Sequence, residues 1–501
     1  MRPSTLTCLK NLACLVSLTV LGILVQGYHP GFEDDAYYLA AIKNNLNPAL
    51  FPHDADFFRV LFQATIFDKL IAFSLRLTHI PLAWGILLWQ CAATFLILWG
   101  CWRIARRCFD ETHEQWAAVA LVAALLTLPV SGSGLSLTDQ HLHPRALATA
   151  LILAAIVAVL DGRRLLAGVL LLLAFPLHLN MTPFGVSYCF FLMWTPQLWK
   201  HLRAHRPQGS TAASALLLIP LGWLFEPSSD AWRQAEATRD FYFLVRWHWY
   251  EWLGIVGPII LLWWFRSLAL SRSSMPKSAV LARVAERMVY FGTFQFAVAL
   301  VLMLPPRLER LRSLEPMRFL HLVYLMFVLL SGGLLARYIL KRSVIRWLLL
   351  FVPLSCGMFY AQRQLYPGTV HLELPGRHSG NDWVEAFNWI SHNTPEDSYF
   401  ALDPRYMEMP GEDYHGFRAL AERSVLADAI KDPCIVVRVP SLGPRWLREM
   451  HAQDGWRNFQ KSDFLRLKSQ FGVDWVVLTN PPADGVTCPY SNNRLSVCRV
   501  E

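Results

Sequence analysis

The chain has 501 residues, of which 54% are hydrophobic and only 17% are charged, and its mean hydropathy is +0.31. A soluble protein carries roughly a quarter charged residues. Here the apolar residues fall in blocks about 17 to 25 residues long, the length that crosses a bilayer as a helix. The composition therefore excludes a soluble globular protein.

The net charge of +9 does not indicate a nucleic-acid partner. Basic residues gather in short connections between apolar blocks, in every second connection, as the positive-inside rule requires. Such clusters include Arg103, Arg106 and Arg107; Arg163 and Arg164; and Arg337, Lys341, Arg342 and Arg346. We therefore assign the excess charge to topology, with a cytoplasmic N-terminus and an extracytoplasmic C-terminal part.

The apolar blocks predict a polytopic α-helical membrane protein with about eleven transmembrane helices. The first block, residues 11–26, has no convincing cleavage site after it and is interpreted as an uncleaved signal anchor. Residues 61–80 mix charges into an apolar pattern, which favours an amphipathic helix on the outer surface over a span. The later spans centre near Leu88, Ala123, Leu153, Leu171, Phe190, Leu218, Leu261, Ala297, Val328 and Leu350.

The first outer loop, residues 27–60, contains three consecutive carboxylates, Glu33, Asp34 and Asp35. Ionised groups clustered at a membrane usually serve a cation, a proton or a substrate. Two of these side chains would bind a divalent cation, or one would act as a catalytic base. The plainer alternative is that Asp34 or Asp35 caps the helix that follows. Asp54 adds a further carboxylate in the same loop.

The second outer loop places Asp139, His141, His143 and Arg145 within seven positions. Asp and His ligate metals and exchange protons near neutral pH. Arg145, at the start of a span, is placed to bind a phosphate through two hydrogen bonds. The alternative is a polar helix entry with Arg145 at the level of the lipid headgroups.

Other outer loops contribute single candidates. His178 lies at the outward end of an apolar helix, and Arg318 opens a span as Arg145 does. The two arginines together would frame a lipid phosphate, although either alone is explained as a snorkelling anchor. Arg246 and His248 lie among aromatic residues, which suits carbohydrate stacking but also describes an ordinary interfacial belt.

After about residue 360 the composition becomes more polar, and residues 361–501 are predicted to form a small extracytoplasmic α/β domain. The pattern predicts a helix over residues 382–392 and strands over residues 398–402 and 475–479. A charged, non-periodic stretch over residues 403–428 separates the strands, and loops of that length are more often functional than not.

Most of the ten cysteines lie in or beside apolar spans and are interpreted as packing residues. In an extracytoplasmic tail, Cys488 and Cys498 are expected to form a disulfide bond, which leaves Cys434 unpaired. No zinc-type spacing of cysteine and histidine occurs in the sequence.

These features together resemble the GT-C superfamily of polytopic glycosyltransferases, which use polyprenyl-phosphate-linked sugars outside the cytosol. The matching features are the acidic motif Glu33-Asp34-Asp35 after the first span, Asp139 after the third, the surface helix and the α/β tail. The segment NTPEDSYFALDPRYM is similar in outline to oligosaccharyltransferases, but no WWDYG motif is present, so their mode of peptide recognition is not implied. The acidic loop and the His-x-His-Pro-Arg-like segment also resemble those of bacterial membrane proteins of unassigned reaction.

The resemblance implies a transmembrane domain over residues 1–360 and a periplasmic domain over residues 361–501, in the bacterial inner membrane. It implies sugar transfer from a polyprenyl-phosphate donor to a glycan, lipid or protein acceptor. The implied roles are catalysis by Asp34 or Asp35 with Glu33, a divalent cation (Mg or Mn) on Asp35, Asp139 and His143, lipid-phosphate binding by Arg145 and Arg318, and substrate binding by His141, His178, Arg246 and His248.

Two other classes of function stay open. A transporter or flippase of a lipid-linked or anionic solute would bury charges in the middle of helices and show matching halves. Here the charges gather at outer helix ends. A non-catalytic scaffold of the cell envelope would use the tail for docking and would tolerate loss of the acidic residues in the first loop.

Overall fold

The computed structural model describes residues 5–194, 228–271 and 276–501. The described chain is mostly helical, with a small β-sheet near its C-terminal end. Within these residues, six helices are long and apolar enough to cross a membrane, and three further apolar helices are shorter. The span predicted near Leu218 lies outside the described residues, so the count of eleven stays a prediction.

The helices are numbered here in chain order. Those that precede residue 366 are α1 (Thr5–Gln26), α2 (Asp35–Leu46), α3 (Asp56–Phe62), α4 (Phe67–Thr78), α5 (Leu82–Cys108), α6 (Thr112–Ala124), α7 (Pro144–Leu160), α8 (Arg164–Ala174), α9 (Thr182–Met193), α10 (Asp230–Ala237), α11 (Trp249–Leu270), α12 (Ser278–Met303), α13 (Phe319–Leu335) and α14 (Val344–Leu365). Those that follow are α15 (Asp382–Asn393), α16 (Phe417–Ala421), α17 (Asp432–Arg438), α18 (Gly443–Ala452) and α19 (Lys461–Phe471). The six candidate spans are α1, α5, α11, α12, α13 and α14.

Helix α13 lies at the centre of the helical bundle, and most of its apolar stretch is buried against other helices. Gly332 permits this packing, because a Cβ atom there would lie 2.5 Å from the carbonyl oxygen of Ala117 in α6. In contrast, α14 buries almost nothing within the chain and has an apolar surface of the kind that faces lipid.

The stretch predicted as an amphipathic surface helix contains the helix α4. Its apolar side chains Phe67, Ile71 and Leu75 recur at helical spacing and are buried against the bundle. Asp68 is also buried, and its carboxylate accepts a hydrogen bond from Asn45 in α2. The charges in this stretch therefore fix α4 against α2.

The C-terminal sheet has five strands in the order β2-β1-β3-β5-β4. They are β1 (Tyr399–Leu402), β2 (Ser424–Val425), β3 (Trp475–Thr479), β4 (Thr487–Ser491) and β5 (Leu495–Arg499). Strand β1 is parallel to β2 and β3, whereas β5 is antiparallel to β3 and β4. Helices α15 and α19 cover opposite faces, so both faces of β1 and β3 are buried, which explains their continuous apolar sequences.

The sequence predictions for this region are confirmed in outline. The predicted helix appears as α15, and the two predicted strands appear as β1 and β3. The Cys488–Cys498 disulfide is present between β4 and β5, and Cys434 is a free, buried thiol.

The long segment between β1 and β3 packs directly on the first outer loop. Apolar side chains of both share one core, which includes Tyr37 and Phe57 from the loop region and Ile435 from α17. Backbone hydrogen bonds join the same two regions: the Glu33 N–H donates to the Tyr414 oxygen at 2.9 Å. This docking brings α17 to the acidic motif.

Candidate functional site

A polar cavity of about 190 Å³ lies where four outer loops meet the segment between β1 and β3, residues 403–474, which we call the C-terminal segment. We call it the polar cavity. Its acidic side chains are Glu33, Asp34, Asp139 and Glu315. Its basic side chains are Arg145, Arg239, Arg318, Lys431 and Arg438.

Glu33 and Asp34 project into the polar cavity from the turn that precedes α2. Glu33 has a φ of 53°, in the left-handed region. Such a conformation is uncommon outside glycine, and here the hydrogen bond to Tyr414 holds it. Both carboxylates contact the amine of Lys431, with 3.2 Å between Lys431 Nζ and Asp34 Oδ1. Their side chains remain about a third exposed, at 38% and 34%. Both are therefore accessible from the cavity.

The surroundings of Asp34 keep its carboxylate ionised. Burial raises its pKa, but the charge of Lys431 and the nearby His143 outweigh burial, so the pKa lies well below its usual value. The Tyr37 hydroxyl also donates to Asp34 Oδ1 at 3.1 Å. Asp34 is thus an accessible carboxylate that is charged at neutral pH.

Asp35, the next residue, has a different position. Its side chain is buried and accepts a hydrogen bond from the Gly31 N–H at 2.7 Å, and it lines neither cavity described here. Burial raises its pKa to about 7. Consecutive residues at a helix start point about 100° apart, so Asp34 and Asp35 cannot face the same space. The structure gives Asp35 the role of supporting the turn.

The second outer loop packs beside Asp34. His143 caps α7, because its Nδ1 accepts a hydrogen bond from the Arg145 N–H at 3.0 Å. The ring proton must then lie on Nε2, which is 3.7 Å from Asp34 Oδ2. Burial lowers the pKa of His143 to about 4, so the ring is neutral, and its Nε2–H lies near Asp34 at more than hydrogen-bond distance.

Asp139 and His141 complete this side of the polar cavity. Asp139 forms an ion pair with Arg145, while its Oδ2 is buried and has no hydrogen-bond partner among the described residues. Within the same part of the chain, both ring nitrogens of His141 are also buried without partners, and burial lowers the pKa of this ring. Unpartnered buried polar atoms are rare, which makes these atoms candidates for contact with a polar substrate.

A cationic cluster lies around Glu315. This buried carboxylate is 2.7 Å from Arg318 Nε and 3.0 Å from Arg438 Nη2, and it accepts from the Tyr242 hydroxyl at 3.3 Å. Burial raises its pKa, but Arg318 and Arg438 outweigh burial and lower it. Two guanidinium groups thus share one carboxylate. The cluster therefore carries a surplus positive charge that suits an anion.

A second opening of about 170 Å³ shares Asp34, Tyr37, Arg318 and Arg438 with the polar cavity. We call it the apolar cavity. Its other wall includes the apolar side chains Phe62, Leu177 and Leu179 and the half-buried His178. Burial lowers the pKa of His178 well below its usual value, so this ring is neutral. The two cavities meet at Asp34 and the two arginines.

The residues present do not fit the divalent cation that the resemblance implies. Among the described residues, no group of three or more His, Cys, Asp or Glu side chains is arranged to hold a metal ion. Of the expected ligands, Asp35 faces away, Asp139 pairs with Arg145, and His143 Nδ1 is occupied by a backbone N–H. The amine of Lys431 lies against Glu33 and Asp34, where a bound cation would lie.

Two predicted substrate residues lie elsewhere. Arg246 is exposed and pairs with Asp240 at 2.7 Å, and the exposed His248 stacks on Tyr250 at the start of α11. Neither lines the polar or the apolar cavity. The same outer loop instead contributes Arg239, whose guanidinium donates to the Ile430 carbonyl.

The sequence interpretation missed three cations: Arg239, Lys431 and Arg438. The last two frame the segment KDPCIVVR, which resembles an ordinary short apolar helix with charged ends. One available signal was that Asp428 precedes a buried helix with charges at both ends.

Comparison with known proteins gives one family match and several structural likenesses. Residues 64–223 match the dolichyl-phosphate-mannose-protein mannosyltransferase family. An oligosaccharyltransferase from Archaeoglobus fulgidus in its apo form is 12% identical, with 93% of this chain and 69% of that chain covered and a TM-score of 0.48. The structure of the same enzyme, AglB, in complex with an inhibitory peptide and a dolichol-phosphate is also 12% identical. The alignment covers 95% of this chain and 70% of that chain, with a TM-score of 0.48. The complex of the Archaeoglobus fulgidus enzyme with Zn and sulfate is 13% identical to this chain. That alignment covers 93% of this chain and 68% of that chain, with a TM-score of 0.44. No curated protein matches the sequence.

Proposed function

We propose that this chain is a membrane glycosyltransferase of the GT-C type, which transfers a sugar from a polyprenyl-phosphate donor to an extracytoplasmic acceptor. The match of residues 64–223 to the dolichyl-phosphate-mannose-protein mannosyltransferase family supports this proposal. The acceptor is a glycan, a lipid or a protein. In this proposal the protein resides in the bacterial inner membrane, with a transmembrane domain over residues 1–360. Residues 361–501 then form a periplasmic domain.

The observation that carries the proposal is the position of Asp34 at the junction of the polar and apolar cavities. Arg318 and Arg438 lie at the same junction. A transferase must bring an acceptor hydroxyl and a lipid-linked donor together at one carboxylate and one anion-binding group. We assign the lipid-linked donor to the apolar cavity, because its wall is apolar, and the acceptor to the polar cavity.

The chemistry follows from the charges of these residues. Asp34 accepts the proton of the acceptor hydroxyl, and the acceptor oxygen forms a bond to the anomeric carbon. The bond from that carbon to the phosphate oxygen breaks with inversion, and its electron pair stays on the phosphate. Arg318 and Arg438 stabilise this charge, and Arg145 adds a third guanidinium on the polar side. The Tyr37 hydroxyl, which donates to Asp34 Oδ1, keeps Asp34 oriented.

The test is replacement of Asp34 by Asn, with cell-envelope glycans compared by mass spectrometry. Loss of a general base lowers the rate by about 10²–10⁴-fold, so we expect one glycan species to disappear while the protein is made at normal levels. Asp240→Asn is the matched control, since Asp240 is exposed and lines neither cavity. An unchanged glycan profile in the stable Asp34→Asn variant would favour a scaffold over an enzyme.

A further inference from the structure

Lys431 is a buried cation that the proposed reaction does not use directly. We propose that it is a built-in counter-cation for Glu33 and Asp34, which positions Asp34 and fills the place of a divalent metal ion. The effect of Lys431 on Asp34 as a catalytic base rests on the proposed function. The claim that its amine occupies the position of a metal ion is independent of that function.

The burial of Lys431 requires a charged partner. Its side chain is only 5% exposed, and a buried ammonium is tolerated only when it is paired. Burial alone lowers its pKa, but Glu33 and then Asp34 outweigh burial and raise it, so the amine is charged. Lys431 and the two carboxylates therefore form one mutually dependent unit.

The backbone around Lys431 is fixed by a buried network. Asp428 accepts hydrogen bonds from the N–H groups of Ile430, Lys431 and Asp432. Arg418 binds both carboxylate oxygens of Asp432, at 2.8 and 3.0 Å. A lysine that only neutralised a surface would not need its main chain held in this way.

The network also reaches the first outer loop. Arg418 Nε donates to Asp54 Oδ2 at 2.5 Å, and that oxygen also accepts from the Val425 N–H at 3.0 Å. The same loop therefore holds the Lys431 segment through Asp54 and presents Glu33 and Asp34 to its amine. Lys431 enters the cavity only when the C-terminal segment is docked.

The position of the amine also explains why a metal does not fit here. Glu33 and Asp34 supply two carboxylates, but Asp139 is paired with Arg145 and His143 is committed to α7. Removal of the ammonium would leave two neighbouring carboxylates without the one cation that contacts both of them, open to the polar cavity. Such a pair with cavity water is the kind of oxygen site that Mn²⁺ binds.

The experiment measures Mn²⁺ binding to the purified full-length protein in detergent by electron paramagnetic resonance. Lys431→Met is compared with Lys43→Met, because Lys43 is also partly buried but pairs with Glu422 away from both cavities. We expect stoichiometric Mn²⁺ binding in Lys431→Met, and none in the wild type or in Lys43→Met. Addition of Asp34→Asn to Lys431→Met should abolish the gain.

Two results would overturn the proposal. One is stoichiometric Mn²⁺ binding by the wild type that Asp34→Asn removes, which would make the acidic pair a metal site and does not require Lys431→Met to fold. The other is a Lys431→Met protein that elutes as a folded species yet binds no Mn²⁺. Neither result depends on sugar transfer, so failure here is distinguishable from failure of the proposed function.

Discussion

All four acidic side chains of the polar cavity come from loops of the helical region that precedes residue 366, which we call the membrane part. Two of its five cations, Lys431 and Arg438, come instead from the C-terminal segment. Lys431 and Asp34 are 397 positions apart in the chain. Without these two cations, Glu33 and Asp34 would lose the amine that contacts both, and Glu315 would lose one of its two guanidinium partners. The site is therefore completed at the interface, and contacts that hold the interface should matter as much as residues that face the substrate.

The largest effect is expected from the network that docks the two regions. Arg418→Met removes the partner of Asp54 and Asp432, both of which are fully buried. Removal of one partner of a buried ion pair destabilises a protein by about 3–5 kcal/mol. We expect a large drop in the apparent melting temperature of the detergent-purified protein, together with loss of transfer.

Arg405→Met is the matched control for that prediction. Arg405 also belongs to the C-terminal segment, but it is exposed and pairs with the exposed Glu408. Such surface pairs contribute about 0–1 kcal/mol. Equal melting temperatures for Arg418→Met and the control would show that the buried network does not hold the interface.

The second-largest effect, on the rate of transfer, is expected when one arginine from each side of the interface is replaced. Arg318 and Arg438 both contact Glu315 and line both cavities. Loss of one donor to the charge that develops in a transition state lowers kcat by about 10²–10³-fold. We expect Arg318→Met and Arg438→Met each to show a decrease in this range, measured as glycan transfer in isolated membranes.

Arg233→Met serves as the control for these two variants, because Arg233 is half-exposed, pairs with Glu309 and lines neither cavity. If only Arg318→Met lowers transfer, the anion is bound by the membrane part alone. The C-terminal segment would then have no part in binding the leaving group.

A smaller effect on stability is expected when the pH is changed, because a titratable histidine lies at a second contact between the two regions. His415 is buried, and its ring lies 3.0 Å from Glu373, which also binds His29, while the Glu412 carbonyl accepts at 2.9 Å. Burial lowers the pKa of His415, but Glu373 outweighs burial and raises it to about 9. The resulting stabilisation is complete below the usual pKa of 6.5 and is lost as the pH rises through about 9.

The measurement is the apparent melting temperature between pH 6.5 and 9.5. We expect it to fall over this range in the wild type and to fall less steeply in His415→Gln, which cannot titrate. Equal slopes in the two proteins would assign the pH dependence to other groups.

Much of the architecture was predictable, because each prediction rested on a local pattern. The apolar blocks predicted the six long helices, and two short apolar runs predicted β1 and β3. The acidic motif and the His-rich loop were also visible as local clusters of charge. Asp34, Asp139, His141, Arg145 and Arg318 all line the polar cavity, as the clustering suggested.

The remainder depends on contacts between distant segments, for which one sequence carries little signal. Asp34 and Asp35 are equivalent by sequence, and only the direction of the first turn of α2 separates a cavity carboxylate from a buried one. Lys431 lies in no recognisable motif, and its role arises from the docking of α17. Its amine contacts the acidic pair, so the charge pattern that suggested a metal ion in the sequence lies beside a lysine in the structure.

The smallest effect is expected from Arg246, which the aromatic loop suggested as a substrate residue. Its guanidinium pairs with Asp240, lies 4.2 Å from the centre of the Phe243 ring, and faces solvent. An exposed pair of this kind contributes about 0–1 kcal/mol, so Arg246→Ala should leave the melting temperature and the rate of transfer nearly unchanged. A selective rise in the KM for the acceptor, with kcat preserved, would mean that the acceptor extends out of the polar cavity and over this loop.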